Sequence, residues 1–284
     1  MILRYGSICT MGDTDAVCST LAYPKSIKGD VHAVVKYQLE TAHMAASDIT
    51  AATIRPNEDE VEAHMCPIAI SCKKKVYMGL EHHAHDHEMK NPELVIKGMS
   101  AKKRSACIKV RRSVAPLAMS VLKGDPPSTT MVIIQDMLAS LTDRPTRDQI
   151  EDYIITCNYN EDVKSDEVIG VFMAESIQKF TGVTQKPGRR LPFVFQQVND
   201  PNAKRYTKAV YPEQFLATKG ARLDLRYYIE MQIGRNYEQL FDMFPEHKKT
   251  LNRLISSASV SYQQKRCGQR RLGDLFKIHQ PTVH

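Results

Sequence analysis

The sequence predicts an α+β fold, in which strands and one helix precede a mainly helical part that begins near Ser113. Residues 1–20 read as a strand, a tight turn over residues 12–15 and a returning strand. In residues 32–53, Val35, Leu39 and Ala42 recur at steps of three or four, a spacing typical of an amphipathic helix. An antiparallel hairpin, a helix and further strands are therefore expected before the helical part.

The rest of the N-terminal part alternates short strands with loops. The sequence Arg55-Pro56-Asn57 ends the helix, because proline cannot continue it. Two strand-like runs follow in residues 61–80, then a polar loop over residues 81–93 and a strand over residues 94–99. A basic segment completes this part.

From Ser113 onwards, the apolar spacing is mostly helical, with one strand. Helices are predicted over residues 113–124, 129–141, 147–157, 167–182, 211–220 and 223–244, and a strand over residues 189–198. Gly182 is suited to cap the fourth of these helices. The tail from about Ser256 is polar and basic, so the predicted domains are residues 1–112, 113–255 and 256–284.

Composition excludes several classes of protein. Hydrophobic residues make up 42% of the 284 residues, which argues against general disorder. No apolar run approaches the roughly 20 residues that span a bilayer, and the N-terminus lacks the features of a signal peptide. The seven cysteines contain no C-x-x-C pair, which favours free thiols in a reducing, intracellular compartment such as the nucleus or cytoplasm.

The positive charge is clustered. The formal net charge is +7, and lysines and arginines group at residues 73–75, 97–112, 189–190 and 265–271. Such clusters suit a polyanion, because neutralised phosphates release their counterions. A solvated basic face is the alternative interpretation.

Asp13 and Asp15 are the first candidates for chemistry. Carboxylates one residue apart at a turn repel each other, and a divalent cation relieves that repulsion. Mg²⁺ prefers one or two carboxylates together with substrate phosphates, so the pair favours phosphoryl or nucleotidyl transfer. The alternative is an ordinary hairpin, since Gly-Asp is common in turns.

The segment GDTDAV, residues 12–17, resembles the Y-G-D-T-D-S motif of family B DNA polymerases, the replicative class that includes many viral enzymes. Met11 replaces the usual tyrosine and Ala16 the usual serine, but both carboxylates are kept. The resemblance implies that Asp15 is a principal Mg²⁺ ligand and that Asp13 is its more peripheral partner. It also implies that both serve a two-metal nucleotidyl transfer.

Two later segments resemble the DNA-holding motifs of the same family. KKKVYMGL, residues 73–80, is similar to K-K-R-Y-A-G-L, and VIKGMSAKKR, residues 95–104, is similar to the K-G segment that follows it. Val76 stands where the family has a basic residue. The resemblance implies that the primer–template is bound by Lys74, Lys75, Tyr77, Lys97, Gly98, Lys103 and Arg104. An exposed basic strand is the alternative for the first segment.

Three segments in the helical part resemble the family's thumb. GRRLPFVF, residues 188–195, is similar to its thumb strand, which adds Arg190 to the implied DNA-binding residues. LDLRYYIEMQI, residues 223–233, is similar to D-x-x-Y-Y-[IL]-x-x-Q, and DYIITC, residues 152–157, to a shorter segment. Tyr228, Ile229 and Gln232 fall near one helical face, which predicts packing within the thumb. The resemblance covers residues 1 to about 245, the C-terminal part of the palm and the thumb.

The resemblance implies primer–template DNA and deoxynucleotides as partners and no membrane. The family's first palm aspartate, its fingers and its proofreading carboxylates are not assigned in this sequence. The chain alone is therefore expected to be inactive, either as a fragment or with a second polypeptide that carries the N-terminal half. The alternative function is a non-catalytic DNA-binding or processivity module derived from the palm and thumb, in which two repelling carboxylates have no use.

Two further segments have open interpretations. Residues 82–87 are rich in histidine, which suits zinc binding or a variable polar turn. The tail QRRLGDLF resembles the peptide that docks on sliding clamps, through Gln269, Leu272, Leu275 and Phe276. A terminal amphipathic turn packed on the thumb is the alternative for the tail. Lone Cys267 shows that this end has no Cys-rich metal module, which favours a viral or archaeal-like relative.

Overall fold

A computed structural model of the chain describes residues 8–13, 16–53, 58, 60–71, 73, 75–86, 88–160, 168–200 and 202–266. The fold combines helices with small antiparallel sheets, as the predicted α+β class requires. The chain divides into two compact units, Met1–Gly98 and Met99–His284. These are called the first and the second unit below.

The first unit contains a hairpin, a long helix and a three-stranded sheet. Strands β1 (Ile8–Asp13) and β2 (Ala16–Thr20) pair antiparallel, and helix α1 spans Val31–Ala52. Strands β3 (Ala63–Ile70), β4 (Tyr77–His83) and β5 (Glu93–Lys97) form an antiparallel sheet in that order. The predicted polar loop therefore begins later than expected, since β4 runs through to His83.

Helix α1 forms where its spacing predicts it. The Asp30 carboxylate caps the helix by accepting a hydrogen bond of 3.0 Å from the Ala33 amide. Val35, Leu39 and Ala45 are buried along one face. The exposed positions mix polar side chains, such as Lys36 and Glu40, with the apolar Met44, so burial of the Val35–Ala45 stripe, rather than intrinsic propensity, accounts for the position of the helix.

The second unit is mainly helical around a small sheet. Its longer elements are α2 (Ile108–Leu122), α3 (Pro127–Ala139), β6 (Ile155–Asn158), α4 (Ile169–Thr181), β7 (Arg190–Phe195), β8 (Ala209–Val210) and α5 (Pro212–Ala217). They are followed by α6 (Leu225–Tyr227), a π-helical segment (Tyr228–Gly234), α7 (Arg235–Leu240) and α8 (Pro245–Arg266). Strand β7 pairs antiparallel with β6 on one side and β8 on the other. No helix in the described ranges has both the length and the apolar character to cross a bilayer.

Two further predictions of secondary structure differ from the structure. The predicted helix over residues 147–157 is wrong: Ile150–Tyr153 is a 3₁₀ turn and Ile155–Asn158 is a strand. Pairing with β7 overrides the helical spacing, because Ile155 and Thr156 lie opposite Phe193 and Pro192.

The second of these differences lies at the C-terminal end of the described residues. The segment predicted as a polar tail from Ser256 continues helix α8 to Arg266. Leu251 and Ser259 are buried on that helix, so a narrow packed stripe stabilises a largely polar sequence.

Candidate functional site

The aspartate pair lies at the tip of the β1–β2 hairpin. Asp13 is the last residue of β1 and pairs with Ala16, the first residue of β2, across the hairpin. The structure describes the backbone of Asp13 and not its side chain, and Asp15 lies outside the described residues. The donors that the sequence offers here are carboxylate oxygens, which fit the hard-cation preference of Mg²⁺.

The first unit brings together residues from both predicted DNA-holding motifs. Tyr77 and Lys97 are paired residues of β4 and β5, so their side chains project from the same face of the sheet. Lys75 and Lys97 are both exposed. Lys74 lies outside the described residues, and Val76, which replaces a basic residue of the motif, is buried.

The backbone of Gly98 lies very close to the backbone of Lys75. Its φ of +68° is in the left-handed region, and a Cβ placed there would lie 2.1 Å from the carbonyl oxygen of Lys75. Lys75 is itself in the left-handed region, with a φ of 60°. The backbones of the two motifs are thus in close contact. Only glycine at position 98 leaves room for this contact.

Lys103 and Arg104 are exposed in the second unit, just before α2. The Arg104 carbonyl accepts hydrogen bonds from the amide of Thr156, at 3.3 Å, and from its hydroxyl, at 3.0 Å. Strand β6 therefore fixes the backbone of this basic segment, while both charged side chains extend into solvent.

Arg190 has a structural role that its motif does not reveal. Its Nε donates to the Thr156 hydroxyl at 3.0 Å, one Nη donates to the Asn158 side chain at 2.8 Å, and the other Nη donates to the Thr156 carbonyl at 3.1 Å. These three acceptors are neutral groups, and through them the Arg190 guanidinium braces strand β6. Thr156 consequently contacts both the backbone carbonyl of Arg104 and the side chain of Arg190.

A groove of about 540 Å³ lies beside this brace in the second unit. Three arginines line it, Arg190, Arg205 and Arg235, and no described lining residue is acidic. Arg205 and Arg235 belong to none of the motifs, so the sequence does not identify them as candidates. The two arginines come close to Tyr227 and Gln232 only in the folded chain, and no pattern in the sequence indicates this.

The D-x-x-Y-Y segment builds one wall of this groove. Tyr227 accepts hydrogen bonds at its hydroxyl oxygen from Arg205, at 3.0 Å, and from the Gln232 amide, at 3.1 Å. The Arg205 guanidinium also lies 5.4 Å from the Tyr227 ring centroid. With its oxygen occupied by two donors, Tyr227 has its hydroxyl hydrogen left to donate.

Gln232 connects the groove to the start of α2. This buried side chain accepts a hydrogen bond of 2.8 Å from the Cys107 amide while it donates to Tyr227. It lies in the π-helical segment Tyr228–Gly234, a backbone form that is frequent at functional sites. The predicted packing of Tyr228, Ile229 and Gln232 inside the fold is confirmed.

Buried tyrosines hold the motif segments in place. The Tyr228 hydroxyl accepts a hydrogen bond from the Phe195 amide, at 3.1 Å, and donates to the Tyr153 carbonyl, at 3.0 Å. Burial raises the pKa of Tyr228 well above its ordinary value, and burial also raises the pKa of Tyr153. Both phenols are therefore neutral hydrogen-bonding groups rather than proton-transfer groups at neutral pH.

Cys157 is the thiol that lines the groove. Burial raises its pKa to about 11, so it is protonated at neutral pH. Cys107, next to the Gln232 contact, has its pKa raised by burial to about 11 as well. Neither thiol is a nucleophile under ordinary conditions.

The histidines of the first unit form stacked pairs. His64 and His82 lie with ring centroids 5.0 Å apart, and His43 and His85 with centroids 4.8 Å apart. His82 also lies 3.5 Å from the Asp86 carboxylate. Within the described ranges, no group of three or more His, Cys, Asp or Glu side chains has the geometry to hold a metal ion. His87 lies outside those ranges, as do Gln269, Leu272, Leu275 and Phe276 of the predicted clamp peptide.

Comparison with known proteins agrees with the motifs. The model of the family described as DNA polymerase family B matches residues 9–244. The match includes the aspartate hairpin, the β4–β5 face and the groove. No curated protein matches the chain.

Proposed function

We propose a function from one premise: this chain belongs to DNA polymerase family B. The chain takes part in template-directed nucleotidyl transfer, in which a primer 3′-hydroxyl is joined to the α-phosphate of a deoxynucleotide and pyrophosphate leaves. The observation that carries the proposal is the extent of the family match, which includes both the aspartate hairpin and the basic surfaces of the two units.

The proposed role of the hairpin is to hold the carboxylates that bind a metal ion. Asp15, with Asp13 beside it, would hold Mg²⁺, because the hairpin offers only hard oxygen donors at its tip. Bound Mg²⁺ supplies electrostatic stabilisation of the transferring phosphoryl group. The pairing of Asp13 with Ala16 shows that β1 ends at Asp13, which is the backbone position on which the proposal draws.

Metal binding can be tested without activity. Titration of the full chain with Mn²⁺, followed by electron paramagnetic resonance, measures free and bound cation. Asp15→Asn should lose binding, and Asp13→Asn should weaken it by a smaller factor. Asp136→Asn, which removes an exposed carboxylate from α3, is the matched control and should bind as the native chain does. Equal binding by native chain and Asp15→Asn would contradict the proposed ligand.

Catalysis by the chain alone is a separate test. Primer extension with Mg²⁺ and deoxynucleotides is expected to give no product, because the family's first palm aspartate is not assigned among these residues. Template-dependent extension by the purified chain would overturn that expectation. DNA binding that never supports transfer, even with a polypeptide that carries the remaining palm, would favour the non-catalytic DNA-binding module.

The basic residues of both units are proposed to contact DNA phosphates. Tyr77 and Lys97 lie side by side on the β4–β5 face, and Lys103 and Arg104 are exposed before α2. Each phosphate contact should contribute about 0.9 to the slope of log affinity against log salt. Lys97→Gln and Arg104→Gln should each reduce that slope by about this amount, whereas Lys123→Gln, exposed beyond the end of α2, should not. A native affinity that does not change with salt would contradict the proposal.

The C-terminal peptide is proposed to dock on a sliding clamp. Its apolar residues Leu272, Leu275 and Phe276 have the spacing of a short helical anchor. In a complete polymerase, Phe276→Ala should reduce processivity in the presence of the clamp and leave distributive synthesis unchanged. Loss of distributive synthesis as well would instead favour packing of this segment on the fold.

A further inference from the structure

We propose that Gln239, Thr156 and Gln232 are positioning residues for DNA binding, because they fix a turn that carries three consecutive basic side chains. This turn, residues 100–107, is called the basic turn below, and its charged side chains are Lys102, Lys103 and Arg104. The inference rests on the proposed function, in which Lys103 and Arg104 contact DNA phosphates. It adds to that function residues that act through the turn rather than on DNA.

The two ends of the basic turn are held by glutamine side chains. The Ser100 amide donates a hydrogen bond of 2.8 Å to the side-chain oxygen of Gln239, and the Cys107 amide donates one of 2.8 Å to that of Gln232. Ser100 begins a 3₁₀ turn and Cys107 precedes the first residue of α2, so neither amide has a carbonyl partner in its own helical segment. The glutamines supply these partners from helix α7 and from the π-helical segment.

The middle of the basic turn is held by Thr156 of strand β6. The Arg104 carbonyl accepts hydrogen bonds from the amide of Thr156, at 3.3 Å, and from its hydroxyl, at 3.0 Å. The hydroxyl oxygen in turn accepts a hydrogen bond of 3.0 Å from the Arg190 guanidinium. A cationic donor polarises the hydroxyl and strengthens its own donation, so Arg190 acts on the basic turn through Thr156.

The side chains of the basic turn divide between core and solvent. Ala101 and Ala106 are buried, whereas the three basic side chains between them are exposed. In the described part of the chain no ion pair includes these three, while Lys109 and Arg112 of α2 both pair with Asp152. The charge of the basic turn is therefore available to an anion.

A fixed turn binds an anion more tightly than a loose one. Three neighbouring positive charges repel one another, so without its anchors the basic turn would spread over conformations in which the charges lie further apart. Binding a phosphate would then require the turn to be ordered first, and this ordering costs affinity. Because the anchors order the turn when the chain folds, DNA binding no longer carries this cost.

Substitution of Gln239 tests the anchor at the start of the basic turn. Gln239→Met removes the acceptor of the Ser100 amide and keeps a side chain of similar size. The matched control is Gln214→Met on helix α5, which removes an acceptor of the Ser176 hydroxyl, at 3.2 Å. Both glutamines are half-buried, so the two variants disturb comparable surroundings.

Thr156 allows a test by rescue. Thr156→Val removes the hydroxyl and keeps the shape of the side chain, whereas Thr156→Ser keeps the hydroxyl. The matched control is Thr181→Val at the end of α4, which removes a hydroxyl that donates to the Ile177 carbonyl at 2.8 Å. Circular dichroism melting of all variants sets a temperature at which each is folded, and affinities are compared there.

The experiment measures the affinity of the full chain for a fluorescent duplex primer–template by anisotropy. Gln239→Met should weaken binding about fivefold, and Thr156→Val by a smaller factor, because the Thr156 amide still bonds to Arg104. Thr156→Ser and both controls should bind as the native chain does. A triple variant removes the charges of the basic turn through Lys102→Gln, Lys103→Gln and Arg104→Gln. In that background Gln239→Met should have no further effect, since a positioning residue acts only through the charges that it positions.

Two results would overturn the inference. One is native affinity in both Gln239→Met and Thr156→Val, and the other is a fivefold loss that persists in the triple variant. If Gln239→Met does not fold, equal affinities of Thr156→Val and Thr156→Ser overturn it. Salt-dependent binding by the native chain that the triple variant weakens would show, beside either result, that the positioning role alone is wrong. If the native chain does not bind the primer–template, the DNA-binding function fails as well.

Discussion

The first unit holds its candidate residues on exposed strands and turns, whereas the second unit holds them on a buried framework of hydrogen bonds. Lys75 and Lys97 are exposed, and what fixes them is backbone geometry around Gly98. In the second unit, the side chain of buried Gln232 donates a hydrogen bond to the Tyr227 hydroxyl, which also accepts one from Arg205. We therefore expect the first unit to be most sensitive to a substitution that disturbs its backbone at Gly98. The second unit should be most sensitive to the loss of buried polar atoms.

Packing supports the same contrast. Among the described residues, the largest fully buried side chains lie in the second unit, except for Met78 on β4. The two-stranded hairpin that carries the aspartates exposes Ile8 and Val17, with 67% and 63% of their surfaces accessible. A hairpin of two strands has little stability of its own, so its geometry depends on what covers it. The proposed metal site therefore belongs to the less packed unit, and some of the proposed DNA contacts belong to the more packed one.

The largest expected effect is that of Gly98→Ala, which should break the backbone lock of the first unit. A left-handed φ costs alanine about 1–2 kcal/mol, and the 2.1 Å approach to the Lys75 carbonyl forces a backbone shift of similar cost. Unfolding in urea should show a loss of about 3 kcal/mol. Gly188→Ala is the control, because it has a φ of +78° but nothing within 4 Å of the added Cβ. Equal losses in the two variants would show that the close approach is unimportant.

A smaller effect is expected from Tyr228→Phe, which tests the buried framework of the second unit. The substitution removes one hydroxyl and leaves the Phe195 amide and the Tyr153 carbonyl without their partner. The free energy of unfolding should fall by about 2 kcal/mol, the cost of unsatisfied buried polar groups. Tyr206→Phe, on a half-buried ring that stacks edge-on with Phe172, should change it by less than about 0.5 kcal/mol. If both variants change the free energy of unfolding by a similar small amount, the buried hydrogen bonds of Tyr228 do not stabilise the second unit as the comparison with the first unit requires.

Most elements could be predicted where the apolar spacing in the sequence agrees with the packing in the fold. Helix α1, the first hairpin, strand β7 and the left-handed cap at Gly182 follow directly from apolar periodicity and residue type. Strand β6 could not be predicted, because its residues fit a helix equally well and only pairing with β7 decides. Helix α8 was missed since its buried stripe is narrow and its other faces are polar.

The candidate site could be predicted only where a motif marks it. Tyr77 and Lys97 were identified separately, and the β4–β5 register shows that they are neighbours. Arg205 and Arg235 belong to no motif, and they reach the groove through folding of the 3₁₀ turn Arg205–Lys208 and of helix α7. The bracing role of Arg190 was also hidden, because its acceptors are on β6, the strand that was mistaken for a helix.

A third effect, smaller again, is expected at Asp224, the aspartate of the D-x-x-Y-Y motif. Its side chain accepts a hydrogen bond of 3.2 Å from the Tyr227 amide and so caps α6. Asp224→Ala should lower the free energy of unfolding by about 1 kcal/mol, as loss of an N-cap does. Asp224→Asn keeps a capping oxygen and should restore most of it. If the two variants lose the same stability, the weak contact of Asp224 with Lys208, at 4.0 Å, matters more than the cap.

The smallest effect is one of reactivity and leaves stability unchanged. Burial raises the pKa of Cys157 to about 11, so only about one thiol in a thousand is ionised at pH 8. Alkylation of Cys157 by iodoacetamide should be slow at neutral pH and should accelerate about tenfold per pH unit until the pH approaches that pKa. Cys9 is exposed on β1 of the first unit and should be modified first, which mass spectrometry of tryptic peptides measures. Modification of Cys157 as fast as Cys9 at neutral pH would show that the Cys157 thiol is open to solvent. The contrast between an exposed first unit and a packed second unit would then not extend to strand β6.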